Sequence, residues 1–360
     1  AGGSAQEAFQ QASEAVTRAE VQRGKSSREV GMAARQAVAD FSDPLHAKSL
    51  ALRAAIQAVV RRNALHHDSP NLMAREAHLA AHAVGLPYDH LKICEIAVEA
   101  LAERLAAEGA TAHDLGVATK DLALSLAISP PGGLNSTTQE LLSLQSAMFL
   151  ASKAAARAAL RHQMKEKDTT SPSLIPGMLQ QAIFQAKQAA RATGHPLGER
   201  EMAHLVGKTV IALSLEKGET YTLPQILKTA IDALNPSPEE TRAAAAAAAK
   251  EVARAEALDG ENPALIRKKC LEVLRDLPQG VIGPVKEHLA FDAAIHAVAQ
   301  TAQPNTMGPL LRKTAKWDPL QRGSEATVPL LARLAATQVA QHLARRHTPP
   351  QLVTAAARGA

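Results

Sequence analysis

At 360 residues the chain is long enough for two or three ordinary domains or for one continuous array of helices, and either can bury a sizeable core. Hydrophobic residues make up 46% of it and aromatic ones only 2%, while roughly a fifth of all positions are alanine, the residue that loses least on entering a helix; sheet-forming composition is absent. The net charge of +5 gathers after Ala302, where Arg312, Lys313, Lys316, Arg322, Arg333, Arg345, Arg346 and Arg358 stand against Asp318 and Glu325, and no apolar run approaches the roughly 18 residues of a membrane span, so the chain reads as soluble.

Taken in chain order, the first sharp mark is Asp43-Pro44, a small polar cap followed by proline at the first helical position, where the missing N–H costs nothing. Ser69-Pro70 repeats the device, as do Ser237-Pro238, Asn262-Pro263 and Thr348-Pro349 further on. Between the first two lies "HHD" at His66 to Asp68, and just after them "EAHLAAH" sets His78 and His82 four apart on one helix face. A pair at that spacing can share a metal, with a facing helix supplying a third ligand, which makes His66, His67, His78 and His82 the candidate metal ligands. Histidines also serve as ordinary polar spacers on half-buried helices, and no glutamate stands where the H-E-x-x-H pattern needs it. The expectation is therefore that the protein holds no metal and no other cofactor.

Gly85 and Gly109 each follow a helical pattern, as a left-handed C-terminal cap prefers, and between them Leu91, Cys94, Val98, Leu101 and Leu105 step by three and four as one buried stripe. "SPPGGLNST" at Ser129 to Thr137 is the most turn-rich stretch and marks a boundary. From Ser136, whose spacing to Gln139 suits a capping box, a long helix carries "KAAARAALRHQMK", in which Lys153, Arg157, Arg161 and Lys165 recur every four residues. Such a row drifts only about 40° per step and makes one basic ridge, able to meet phosphate or an acidic partner or simply to be solvated. "DTTSPSLIPG" at Asp168 to Gly177 is the second interruption.

Gly194 ends another pattern, after which Glu201 and His204 form a single Glu-x-x-His where a di-metal bundle would need two. "GKT" at Gly207 to Thr209 has Met202 where a phosphate loop needs its first glycine, and it falls inside a helix. Gly218, Gly260 and Gly280 are further expected stops, and Ser237 with Glu240 has capping-box spacing. The helix that follows Ser237 holds seven consecutive alanines before Lys250, and short side chains let a neighbouring backbone approach closely, so it reads as a packing surface. Cys270 follows two lysines but shares the apolar stripe of Ile266, Val273 and Leu274, which makes it a buried structural thiol. A third irregular region, 304–326, contains the only tryptophan, Trp317.

These marks predict an all-α fold, an irregular array of about fourteen helices packed as antiparallel hairpins, solenoid-like or bundle-like, in which no repeated motif can be aligned. The expected organisation is an N-terminal helical domain over 1–130, a helical body over 136–303, and an irregular segment with basic C-terminal helices over 304–360. Two cysteines, Cys94 and Cys270, far apart within apolar patterns, suit a reducing compartment, inside a cell or after delivery into one. Without a nucleophile elbow, a dinucleotide fingerprint or a C-x-x-C pair, no catalytic residue can be named. The favoured reading is a non-enzymatic interaction protein, an adaptor, scaffold or secreted effector, that binds another protein through helical surfaces using Lys153, Arg157, Arg161, Lys165, Arg345 and Arg346. The alternative is a nucleic-acid binder directed at the phosphate backbone through the Lys153 ridge and the basic C-terminal segment, since eight aromatic rings leave little for base stacking. A metal-dependent enzyme around the N-terminal histidines is the third reading.

Overall fold

The computed structural model describes residues 5–40, 44–85, 89–128, 143–166, 175–216, 223–258, 261 and 263–301. Fourteen helices and no strand occur among them: α1 (Ala5–Gln22), α2 (Ser27–Ala37), α3 (Pro44–Leu65), α4 (Pro70–Val84), α5 (His90–Ala107), α6 (Ala112–Ile128), α7 (Leu144–Glu166), α8 (Ile175–Ala192), α9 (Glu199–Glu216), α10 (Leu223–Leu234), α11 (Pro238–Leu258), α12 (Pro263–Val273), α13 (Gln279–Ile282) and α14 (Lys286–Thr301). The described residues form two compact units, one of those within 5–213 and 228–244 and the other of those within 214–227 and 245–301. The expected boundary near 130 and the segment 304–360, with Trp317, Arg345 and Arg346, lie outside the described residues.

From α1 to α8 the packing is regular. Each helix lies against the next and the next but one, so α1, α3, α5 and α7 form one row and α2, α4, α6 and α8 a second row upon it. Short connections make most neighbours antiparallel, and helices of one row run parallel to each other, as Glu95 with Lys153 and Glu99 with Arg157 show for α5 and α7. The seam is filled by side chains such as Ile56, Ile93, Ile96, Leu115, Leu122 and Leu160, each below 2% exposure, and by many alanines. Burying one such leucine or isoleucine is worth about 2–3 kcal/mol, and this, more than helix propensity, holds the rows together. Of the expected stripe on α5, Cys94, Val98 and Leu101 are buried and Leu105 is half-buried, but Leu91 in the first turn is exposed.

A repeat that composition hides becomes visible in this geometry. Every boundary of α1 recurs in α5 at a number higher by 85 (5 to 90, 22 to 107), and α2 and α6 begin at the same offset, at Ser27 and Ala112. Gly24 and Gly109 close the first helix of each pair at φ +73° and +82°, values that favour glycine. Two residues on, Ser26 and Glu29 form a reciprocal capping box, and Thr111 and Asp114 stand in the same places, the Asp114 N–H donating to the Thr111 hydroxyl at 3.2 Å. The Ser26 hydroxyl, then Lys25, holds the Glu29 carboxyl at a pKa of about 2. Gly31 and Gly116 complete the match: a Cβ at Gly31 would collide with the Ala80 carbonyl and Ala83 methyl of α4, and one at Gly116 with the Ala189 carbonyl and Ala192 methyl of α8.

Polar ties secure the turns. Arg62 at the end of α3 donates to the Lys25 carbonyl (2.8 Å) and to the Ser27 hydroxyl (3.1 Å), which itself donates to Glu76 on α4 at 2.6 Å. Buried Ser152 of α7 bonds the Thr193 hydroxyl at 2.5 Å and the His195 carbonyl, fixing the turn after α8. The long basic helix begins at Leu144, eight residues after Ser136, because Ser143 caps it by accepting from the Ser146 N–H at 3.0 Å. In the same unit Gly207 of "GKT" lies mid-helix against the Ala244 carbonyl, so that glycine serves packing.

Within the second unit, Cys270 is fully buried and donates to the Ala249 carbonyl at 3.4 Å, with burial pushing its pKa up to about 12. Lys269 pairs with Glu256, and Arg267 with Glu287 at 2.5 Å. Five of the seven alanines of α11, which passes from the first unit into the second after Ala244, are buried, namely Ala244, Ala245 and Ala247 to Ala249, as a packing surface requires. At the start of α11, which belongs to the first unit, Ser237 and Glu240 form the expected capping box, the Ser237 N–H donating to Glu240 at 2.7 Å. Gly280 differs from expectation: it lies inside the short helix α13 because the preceding α12 already stops at Val273.

Candidate interaction surfaces

The outward side of the α1–α7 row is a ladder of ion pairs. Glu95, Glu99 and Glu103 project from α5 at four-residue intervals, with α3 on one side and α7 on the other. Glu99, nearly buried, accepts from Arg53 of α3 at 3.0 Å and from Arg157 of α7 at 3.1 Å. Arg61 of α3 reaches Glu103 at 2.9 Å, and Lys92 reaches Glu95 at 2.6 Å. Burial works to raise the Glu95 pKa, but the Lys92 bond and the nearby charges of Lys92, Lys153 and Arg53 outweigh it and leave the carboxyl below its ordinary value.

The expected basic ridge therefore has a structural task. Of its four cations, Arg157 forms an ion pair with Glu99 of α5 and Lys153 contributes a charge that lowers the Glu95 pKa, while Arg161 and Lys165 have interactions of their own.

The α2–α8 row differs. Its buried stripes face the other row and its own neighbours, which by elimination turns Arg28, Met32 and Arg35 on α2 outward, with Leu72, Arg75 and Leu79 on α4, Val117, Lys120 and Leu124 on α6, and Phe184 and Arg191 on α8. Met32 is 55% exposed, Leu72 38% and Phe184 53%. Among the described residues, Arg28, Arg35, Arg75, Lys120 and Arg191 have no carboxylate partner, although Asp114 and Asp121 stand on the same helix as Lys120. The Arg35 charge also reaches Lys48, whose pKa is lowered first by burial and then by Arg35. Here positive charge stands unneutralised among apolar side chains.

The candidate metal ligands do not assemble. His66 and His67 are exposed at the end of α3, His67 at φ +54°, and His82 is exposed on α4. His78 is 2% exposed, its ring 5.4 Å from that of His90 and neither nitrogen in a well-formed hydrogen bond. Burial first, then the His90 charge, lowers its pKa to about 4, with the Leu126 carbonyl opposing, so the ring is neutral at pH 7. Among the described residues no three of His, Cys, Asp and Glu come together as a metal site, and no helix is long and apolar enough to cross a membrane. Cys94 is buried like Cys270, its pKa pushed up to about 12, so neither thiol is an activated nucleophile.

Reading the sequence singled out the ridge on α7 and missed the outward face of α2, α4 and α6. The available signal was an apolar residue three before a cation on each of those helices: Met32 with Arg35, Leu72 with Arg75, Val117 with Lys120. α8 repeats it as Phe184 with Lys187, although Lys187 pairs with Glu199 at 3.0 Å. No protein-family model matches the chain, and no curated protein matches it.

Proposed function

We propose that this protein is a non-enzymatic interaction protein that binds another macromolecule through the helical surface of its first unit. The observation that carries the reading is the unequal distribution of ion pairs between the two rows. One face pairs Arg53, Arg61, Lys92 and Arg157 with the carboxylates of α5, whereas on the other Arg28, Arg35, Arg75 and Lys120 have no carboxylate partner among the described residues and Met32, Leu72 and Phe184 are exposed. Exposed unpaired cations add nothing to the fold, and apolar side chains lose by facing water, so such a face gains only when covered.

A protein partner fits this mixture better than nucleic acid does. Backbone-directed binding to nucleic acid needs cations alone, and Phe184 is the single exposed ring on this face. Affinity capture with the full chain at low salt and at about 0.5 M, with and without nuclease, tests the reading, because the Debye length shrinks to roughly 4 Å at the higher salt. The expected result is a protein retained at both salts and indifferent to nuclease. Recovery of nucleic acid alone, lost on adding salt, overturns it.

A further inference from the structure

We propose that the outward face of α2, α4, α6 and α8 receives an acidic amphipathic helix of a partner protein. This rests on the interaction reading above and adds the chemistry of the occupant. Three contacts set the four helices in register. Gly31 meets Ala80 and Ala83, so Met32 and Arg35 stand level with the turn of α4 that carries Leu79 and His82. His78 lies beside the Leu126 carbonyl, which brings Arg75 near the level of Leu124. Gly116 meets Ala189 and Ala192, which places Val117 and Lys120 beside the end of α8 and Arg191. Cations and apolar side chains thus occur together on the outward face of each of the four helices, stepped along the helix axes from one to the next.

The breadth of the row argues for a helix. Neighbouring helices pack with axes 8–10 Å apart, so four of them span roughly 30 Å, the length of a helix of about 20 residues. Each helix of the row offers one or two apolar side chains, matching a partner stripe at three- and four-residue spacing. Carboxylates flanking that stripe recur roughly every 5–6 Å, within reach of the arginine and lysine heads, whose aliphatic stems pack on the same stripe. An anion without an apolar side would leave Met32, Leu72 and Phe184 uncovered or desolvated against phosphate.

The test is selection from a displayed library of random peptides about 20 residues long on the full chain, followed by affinity measurement on synthetic copies of the enriched sequences. The expected winners combine Asp or Glu with Leu, Ile or Phe at helical spacing and gain helicity on binding. They should bind at least about 10-fold more weakly to the variant Arg28→Gln, Arg35→Gln, Arg75→Gln, Lys120→Gln, and more weakly to Met32→Ser, Phe184→Ser, with circular dichroism verifying that both fold. Removing two cations from the opposite face, Lys92→Gln with Arg61→Gln, should leave affinity unchanged. Winners without acidic enrichment, or equal losses from both faces, overturn the proposal. So does displacement of the peptide by random-sequence duplex DNA, or by phosphatidylserine vesicles, at matched charge. If capture still retains a protein whose binding ignores the α2–α6 substitutions, the interaction reading stands and this occupant does not.

Discussion

The α1–α2 and α5–α6 hairpins share helix starts, turn glycine, capping residues and packing glycine at a constant offset, yet they are furnished differently. Where α5 carries Ile96 and Leu101, both buried, α1 carries exposed Gln11 and half-exposed Val16. Buried Val98 and Ala102 correspond to the small polar Ser13 and Thr17. The cause is position: α5 packs against α3, α4, α6 and α7, whereas α1 packs mainly against α2 and α3. Turn chemistry sets the geometry of a hairpin, and the number of neighbours sets its composition. Helical arrays commonly give an outermost helix a polar outer side for this reason.

The largest effect that probes this contrast comes from the packing glycines. Gly116→Ala inserts a methyl group against a backbone carbonyl on α8, and α6 is held in its row between α4 and α8, so the strain has nowhere to go. The gain in helix propensity offsets only about 1 kcal/mol, and the expected net loss is about 2–3 kcal/mol. Gly31→Ala meets a similar collision with α4, but α2 can move away from it, and a loss nearer 1 kcal/mol is expected. Chemical denaturation of both variants measures the difference; equal losses would mean that neighbours in the row do not confine the helices.

Much of this frame was legible in the sequence, because caps and stops are local. Ser69-Pro70, Ser237 with Glu240, Gly85, Gly109 and Gly194 all sit where a helix begins or ends. The repeat was not legible, since its carriers are two glycines and two differently spelled capping pairs, with buried positions exchanged for polar ones in the first copy. The basic ridge on α7 was visible as spacing, but its partners Glu95 and Glu99 lie some 50 residues away in sequence and on the neighbouring helix. Pairing is a tertiary fact, so the sequence could not tell spent cations from available ones. The same blindness hid the face of α2, α4 and α6, where Arg28, Arg35, Arg75 and Lys120 have no carboxylate partner among the described residues.

A second effect separates the hairpins by pH. His78 is pressed against the interior hairpin, beside His90 and Leu126, and its pKa is lowered from 6.5 to about 4. As pH falls below 6.5 the unfolded chain takes up a proton that the folded chain refuses until about pH 4, so stability declines across that window. The decline attributable to His78 should be on the order of 2–3 kcal/mol. His78→Leu should remove it while changing stability little at pH 7, since no well-formed hydrogen bond is lost. Denaturation at pH 7 and pH 4.5 compares the two proteins; identical pH slopes would show that the ring is hydrated in solution.

The smallest effect is the most discriminating, because Glu14 and Glu99 occupy the same position in the two hairpins. Glu14 accepts from Gln10 of its own helix at 2.9 Å, whereas Glu99 joins Arg53 and Arg157 and so links three helices of one row. Glu99→Gln keeps the shape but weakens two charge-assisted hydrogen bonds and should cost about 1–2 kcal/mol, whereas Glu14→Gln should cost less than about 0.5 kcal/mol. The two arginines should contribute unequally. The Arg157 side chain is 23% exposed and that of Arg53 is 45%, so water screens the second pair more strongly. A double-mutant cycle of Glu99→Gln with Arg157→Gln should give a coupling of about 1 kcal/mol, and the cycle with Arg53→Gln about half of that. If both couplings vanish, the ladder is ornamental, the cations on α7 are available to a partner after all, and the contrast between the two faces loses its energetic basis.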